Sequence, residues 1–198
     1  MRALLIVVAL MFSAAGAGLF IVTRIGFNSR AAPSPIEASL ARELRLLSVP
    51  KDYKRMRNPV DCSDAVLTEA RAHWADHCAT CHANNGSGDS TFGRTMYPRP
   101  PDLRQPATQT QSDGELYYTV NNGVRFTGMP AFSNHHSSPE DTWKLVEFIR
   151  HLPQLTAEER VEMEKYNPKG PDDRLEEQEE NDFLNGATPA PKPESHHH

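Results

Sequence analysis

Ala3 to Val22 forms an unbroken apolar run with no charged side chain. Its twenty residues at ~1.5 Å per residue span about 30 Å, the thickness of a bilayer core. Arg2 precedes the run, and Arg24 and Arg30 follow it, so basic flanks do not fix an orientation. Two readings are open. Ala15-Gly16-Ala17 has the small residues of a signal-peptide cleavage site. The apolar run, however, continues through Gly18 to Val22, which a cleaved soluble chain does not need. This favours a retained transmembrane anchor over residues 1–24.

The period then changes. Within a linker over residues 25–62, Ile36, Leu40, Leu44 and Leu47 recur at spacings of four, four and three, which predicts one apolar helix face. That face is expected to cover a hydrophobic edge of the following domain, with the membrane surface as the alternative. Pro50 ends the helix, and the basic stretch Lys51 to Arg57 reads as a solvated loop. Ser63 caps a helix whose stripe is Leu67, Ala70, Trp74 and Cys78. Asn84 to Phe92 is turn-rich, and Tyr97 to Pro101 is too proline-dense for helix. Ser112 opens a short helix that Asn122-Gly123 closes. Ser138-Pro139-Glu140-Asp141 is a strong helix start, and Trp143, Leu145, Val146, Phe148, Ile149 and Leu152 give it a buried face. Pro153 ends that helix, and Thr156 to Glu159 caps a trailing short helix over 156–170. Residues 171–198 are acidic, then proline-rich, and end in three histidines. That composition predicts a disordered tail, because it cannot bury enough surface to offset the entropy of ordering. The expected domain is therefore residues 63–155, all-α.

Chemistry enters with Cys78-Ala79-Thr80-Cys81-His82. A Cys-x-x-Cys-His run is the attachment site of c-type haem. Two thiols on one helical turn reach the two vinyl groups of one porphyrin, and the adjacent His supplies the proximal nitrogen. A redox dithiol would sit in a thioredoxin-like βαβ pattern, and a zinc site would need a second ligand pair; neither is present in the sequence. Met129 is the candidate second axial ligand, framed by Gly128 and Pro130 in a stiff loop. Met96 competes with it, and His135 and His136 would make a bis-His site instead. The remaining cysteine, Cys62, is either a buried free thiol or a disulfide partner for another chain.

From about Ser63 to Pro153 the chain resembles a bacterial, single-haem class I c-type cytochrome. The resemblance rests on the order of the motifs. Trp74 lies four residues before the first cysteine, and Cys-x-x-Cys-His, Pro101-Asp102-Leu103, the Met129 loop and a terminal helix with Leu145 and Phe148 follow. It implies a small all-α cytochrome c fold around one covalent haem c. Its end helices would cross beside the haem, at Ala70 where the family has Gly. It also implies that the Pro101 carbonyl accepts the His82 N–H, with Pro100 an alternative register. Arg125, near Met129, becomes a candidate partner for a haem propionate. Covalent haem attachment on the outer side of the bacterial inner membrane would place the domain in the periplasm.

Composition adds limits. Net charge is −5 over 198 residues, and much of it lies in the tail. No basic run suggests nucleic acid. With both axial positions filled from the protein, no small-molecule substrate is expected. The reading is a membrane-tethered electron carrier, or a subunit of a respiratory or other redox complex, partnered by redox proteins. The alternative is a haem enzyme or gas or redox sensor in which Met129 leaves the iron. The family's peroxidases carry two haem motifs and a sensor would carry an output domain; this sequence has neither.

Overall fold

The structure is a computed structural model that describes residues 2–25, 29, 31–133 and 138–185. It is helical, with no strand among the described residues. Helix α1, Arg2–Ile25, is 24 residues long. Within it Leu4–Arg24 is long and apolar enough to cross a membrane, and none of that window is buried against the rest of the protein. Helices α2, Pro35–Ser48, and α3, Lys51–Arg55, follow. Helix α4, Asp64–His73, passes into a π-helical turn, Trp74–Cys78, and then into α5, Ala79–His82. The short α6, Pro106–Gln109, precedes α7, Asp113–Asn122, and α8, Pro139–His151. Helix α9, Ala157–Met163, and α10, Pro171–Leu184, close the described chain.

Capping chemistry sets these boundaries. The Ser63 side chain accepts the Val66 N–H at the start of α4. Ser112, Ser138 and Thr156 each form a complete capping box, with Glu115, Asp141 and Glu159 returning to the cap N–H. The core lies where α4 packs on α8 and α8 on α7. Ala70, Trp74, Leu116, Val120, Val146 and Phe148 are all buried there. Ala70 is only 2% exposed, so a methyl group fits the expected crossing point. Arg150 of α8 binds Asp113 at 2.7 Å and the Gln109 carbonyl at 2.7 Å, fixing the start of α7.

Several expectations change. The Lys51–Arg55 stretch is a helix, not a loop: Tyr53 packs against Tyr117 and Tyr118, with ring centroids 6.2 and 5.0 Å away. The α2 apolar stripe does not cover the domain. It faces outward, and Ile36, Leu40, Leu44 and Leu47 are all exposed. The core also extends past both expected edges. Tyr53 and Val60 pack on it from before residue 63, and Met163, with no exposed surface, completes it from α9. Finally, the tail is helical over Pro171–Leu184, where no order was expected. Its described side chains are exposed, so it adds nothing to the core. Residues 186–198, including His196 to His198, lie outside the described residues.

Candidate haem site

The π-helical turn carries the chain into the Cys-x-x-Cys-His run. The sequence stripe expected one continuous α-helix here. The wider turn is a local irregularity of a kind concentrated at functional sites. Cys78 is buried and Cys81 half-buried, and both are free thiols. Burial pushes the Cys78 thiol up to about 12, with Cys81 beside it adding to the rise, and burial raises Cys81 as well. His82 is pushed down to about 4 by burial, so its ring is neutral at pH 7. A neutral imidazole is the form that ligates a metal. Its Nδ1 is buried without a hydrogen-bond partner. Trp74 flanks the ring at 5.8 Å between centroids, and its Nε1 donates to the Ala83 carbonyl at 3.2 Å.

The segment after His82 folds back over α5. Ser90 Oγ donates to the Thr80 carbonyl at 2.6 Å and accepts the Gly93 N–H at 2.8 Å. It thereby ties the end of the motif helix to the loop. Gly88 has φ +73, and an added Cβ would meet the Pro100 carbonyl at 2.2 Å and that of Pro101 at 3.2 Å. The proline segment therefore crosses beside the motif. The bond expected between the Pro101 carbonyl and His82 Nδ1 is not formed; the carbonyls lie over Gly88 instead.

The Met129 loop is closed on itself. Thr127 Oγ1 donates to the Val124 carbonyl at 2.7 Å and accepts the Met129 N–H at 3.1 Å. The Val124 N–H donates to the Met129 carbonyl at 3.2 Å. Met129 is half-buried and packs on the core. Met96 reaches the same loop: a Cβ on Gly128 would lie 1.9 Å from the Met96 methyl. Two thioethers therefore flank Gly128. His135 and His136 fall outside the described residues. Cys62 is exposed, against the expectation of a buried thiol.

Residues 65–149 match the family model described as "Cytochrome C oxidase, cbb3-type, subunit III". The chain carries a c-type cytochrome domain. The match covers under half of the chain, and no curated protein matches it. The domain implies covalent haem c and haem-based electron transfer.

The residues of this cytochrome domain fit that group. Two free cysteines stand one helical turn apart, beside a buried, neutral histidine with an orphaned ring nitrogen. Thioether sulfurs are available on the loops. Arg125 is exposed on the Met129 loop, and its neighbour Phe126, with φ +63, is 93% exposed. Sequence reasoning missed Ser90 and Thr127, the two hydroxyls that hold the motif helix and the Met129 loop. Both sit in loops of small polar residues, and nothing in spacing or periodicity separates them from their neighbours. It also passed over Asn84, whose Oδ1 is the other buried atom without a partner among the described side chains.

Proposed function

We propose that the chain is a membrane-tethered electron carrier with one covalent haem c, held on the periplasmic side of the inner membrane. It would work as a stand-alone carrier or as a subunit of a respiratory complex. The matched family's oxidase name supports the second setting without naming partners. In this reading Cys78 and Cys81 would form the thioether links, and His82 and Met129 would ligate the iron. The bound iron supplies a one-electron couple. The protein positions and insulates it. Trp74, 5.8 Å from the His82 ring and 5.5 Å from Phe148 between centroids, would shield the group on the His82 side. The Thr127 hydroxyl fixes the loop that presents Met129. Arg125 would face a propionate at the exposed edge, beside Phe126.

One observation carries this reading: the buried, neutral His82, with an unpartnered Nδ1, directly after Cys81 in the Cys-x-x-Cys-His run. The test is Met129→Ala in the purified protein. It should lose the sulfur-to-iron charge-transfer band of the oxidised state and turn high-spin. Met129→His should stay low-spin with a lower potential, because a thioether favours ferrous iron more than an imidazole does. If the band persists in Met129→Ala and disappears in Met96→Ala, Met96 is the ligand.

A further inference from the structure

Helix α2 is clamped to the cytochrome domain by its polar side. Arg45 Nη1 donates to Gln111 Oε1 at 3.5 Å, and the Tyr97 hydroxyl bonds the Glu37 carboxylate. Lys54 Nζ donates to the Leu46 carbonyl at 2.6 Å, and Val49, just past the helix, is buried. At about 100° per residue, Ile36, Leu40, Leu44 and Leu47 share an arc of about 80°. Ala38 and Arg45 lie about 140–160° round from its centre, toward the domain. The stripe therefore points away from the body that holds the helix, and its four side chains are 57–80% exposed. A contiguous apolar face of this kind, turned to solvent, marks an interaction surface.

Position selects its occupant. Nine residues, 26–34, separate the end of α1 from the start of α2. Fully extended, they reach about 30 Å. An α1 that crosses a bilayer therefore keeps the start of α2 within about 30 Å of the membrane surface.

We propose that α2 lies in the bilayer interface, with Ile36, Leu40, Leu44 and Leu47 seated at the headgroup–acyl boundary. This would hold the cytochrome domain against the membrane in one orientation instead of leaving it on a free tether. The proposal rests on α1 being a retained anchor.

The test uses the full chain with Cys62→Ser, in vesicles of phosphatidylcholine with phosphatidylglycerol. Single nitroxide labels are placed at Ser39→Cys, Leu40→Cys and Leu44→Cys. Collisional relaxation by dissolved oxygen should exceed that by a water-soluble nickel complex at positions 40 and 44, with the order reversed at 39. Labels at 40 and 44 that favour the nickel complex would put the stripe in water and overturn the proposal. Labels shielded from both reagents would mean that a protein surface covers it, which also overturns it. Flotation of the same vesicles separates the two premises. A chain that floats with water-exposed labels defeats only the docking of α2. A chain that does not float defeats the anchor and this proposal with it.

Discussion

His82 shows how far single residues can be read. Its role follows from the Cys-x-x-Cys-His spacing, but its state follows from burial, which keeps the ring neutral. The next residue carries a cost that the sequence does not advertise. Ala83 has φ +60 and ψ +160, a region that essentially only glycine occupies. Its carbonyl accepts the Trp74 Nε1–H, so the fold holds it there. Ala83→Gly should relieve this strain and raise stability by about 1 kcal/mol, after the extra unfolded-state entropy of glycine is counted. Denaturant unfolding of the two haem-loaded proteins measures it, and an unchanged or lowered midpoint would show that the alanine is unstrained. Cys78, Cys81 and His82 stand out in the sequence because haem attachment demands fixed residue types at fixed spacing. Thr127 and Ser90 do not, because a hydroxyl that closes a loop looks like any other loop hydroxyl until the chain is folded.

At the scale of elements, caps and stripes were legible wherever a local hydrogen bond or an apolar period sets the boundary. Ser63, Ser112, Ser138 and Thr156 all start helices as expected. What periodicity left open was where each face goes. The α2 stripe is regular, yet it faces outward, because Arg45 and the buried Val49 fix the opposite side. Helix α9 is short and mostly polar, and it joins the core through Met163 alone. Charge holds it in place: Arg71, itself buried, lies 2.9 Å from Glu159 and 2.6 Å from Glu162, and His151 lies 3.0 Å from Glu159. Burial works against the Glu159 carboxylate, but bonds from the Thr156 N–H and the His151 ring outweigh it and hold its pKa below the usual 4.5. A carboxylate depressed in the folded state binds fewer protons there than when unfolded. Its contribution is therefore present above about pH 4.5 and is lost as pH falls through the folded value. Glu159→Gln should flatten that part of the acid-unfolding curve and lower stability at pH 7. Identical acid limbs for the two proteins would remove Glu159 from the account.

For the molecule as a whole, an apolar N-terminal helix followed by a cytochrome domain could be read from the sequence, but the extent of the core around that domain could not. Composition marks Pro153 as an end, whereas the core continues to Met163 because a single apolar side chain suffices to plug it. A chain ending at Gly170 should keep the full spectrum and stability, since the described side chains of α10 touch no core. A chain ending at Leu155 should lose about 2–5 kcal/mol, the cost of emptying a large buried site, with Arg71 left unpaired as well. Equal thermal stability of the two truncations would place α9 outside the domain. One covalent haem carried by the Cys78–His82 turn is tested most directly by peptide mass spectrometry of the native protein digested without reduction. A single haem adduct is expected on the peptide containing Cys78 and Cys81, and none on the Cys62 peptide. A Cys78–Cys81 disulfide, or two unmodified thiols, would contradict it.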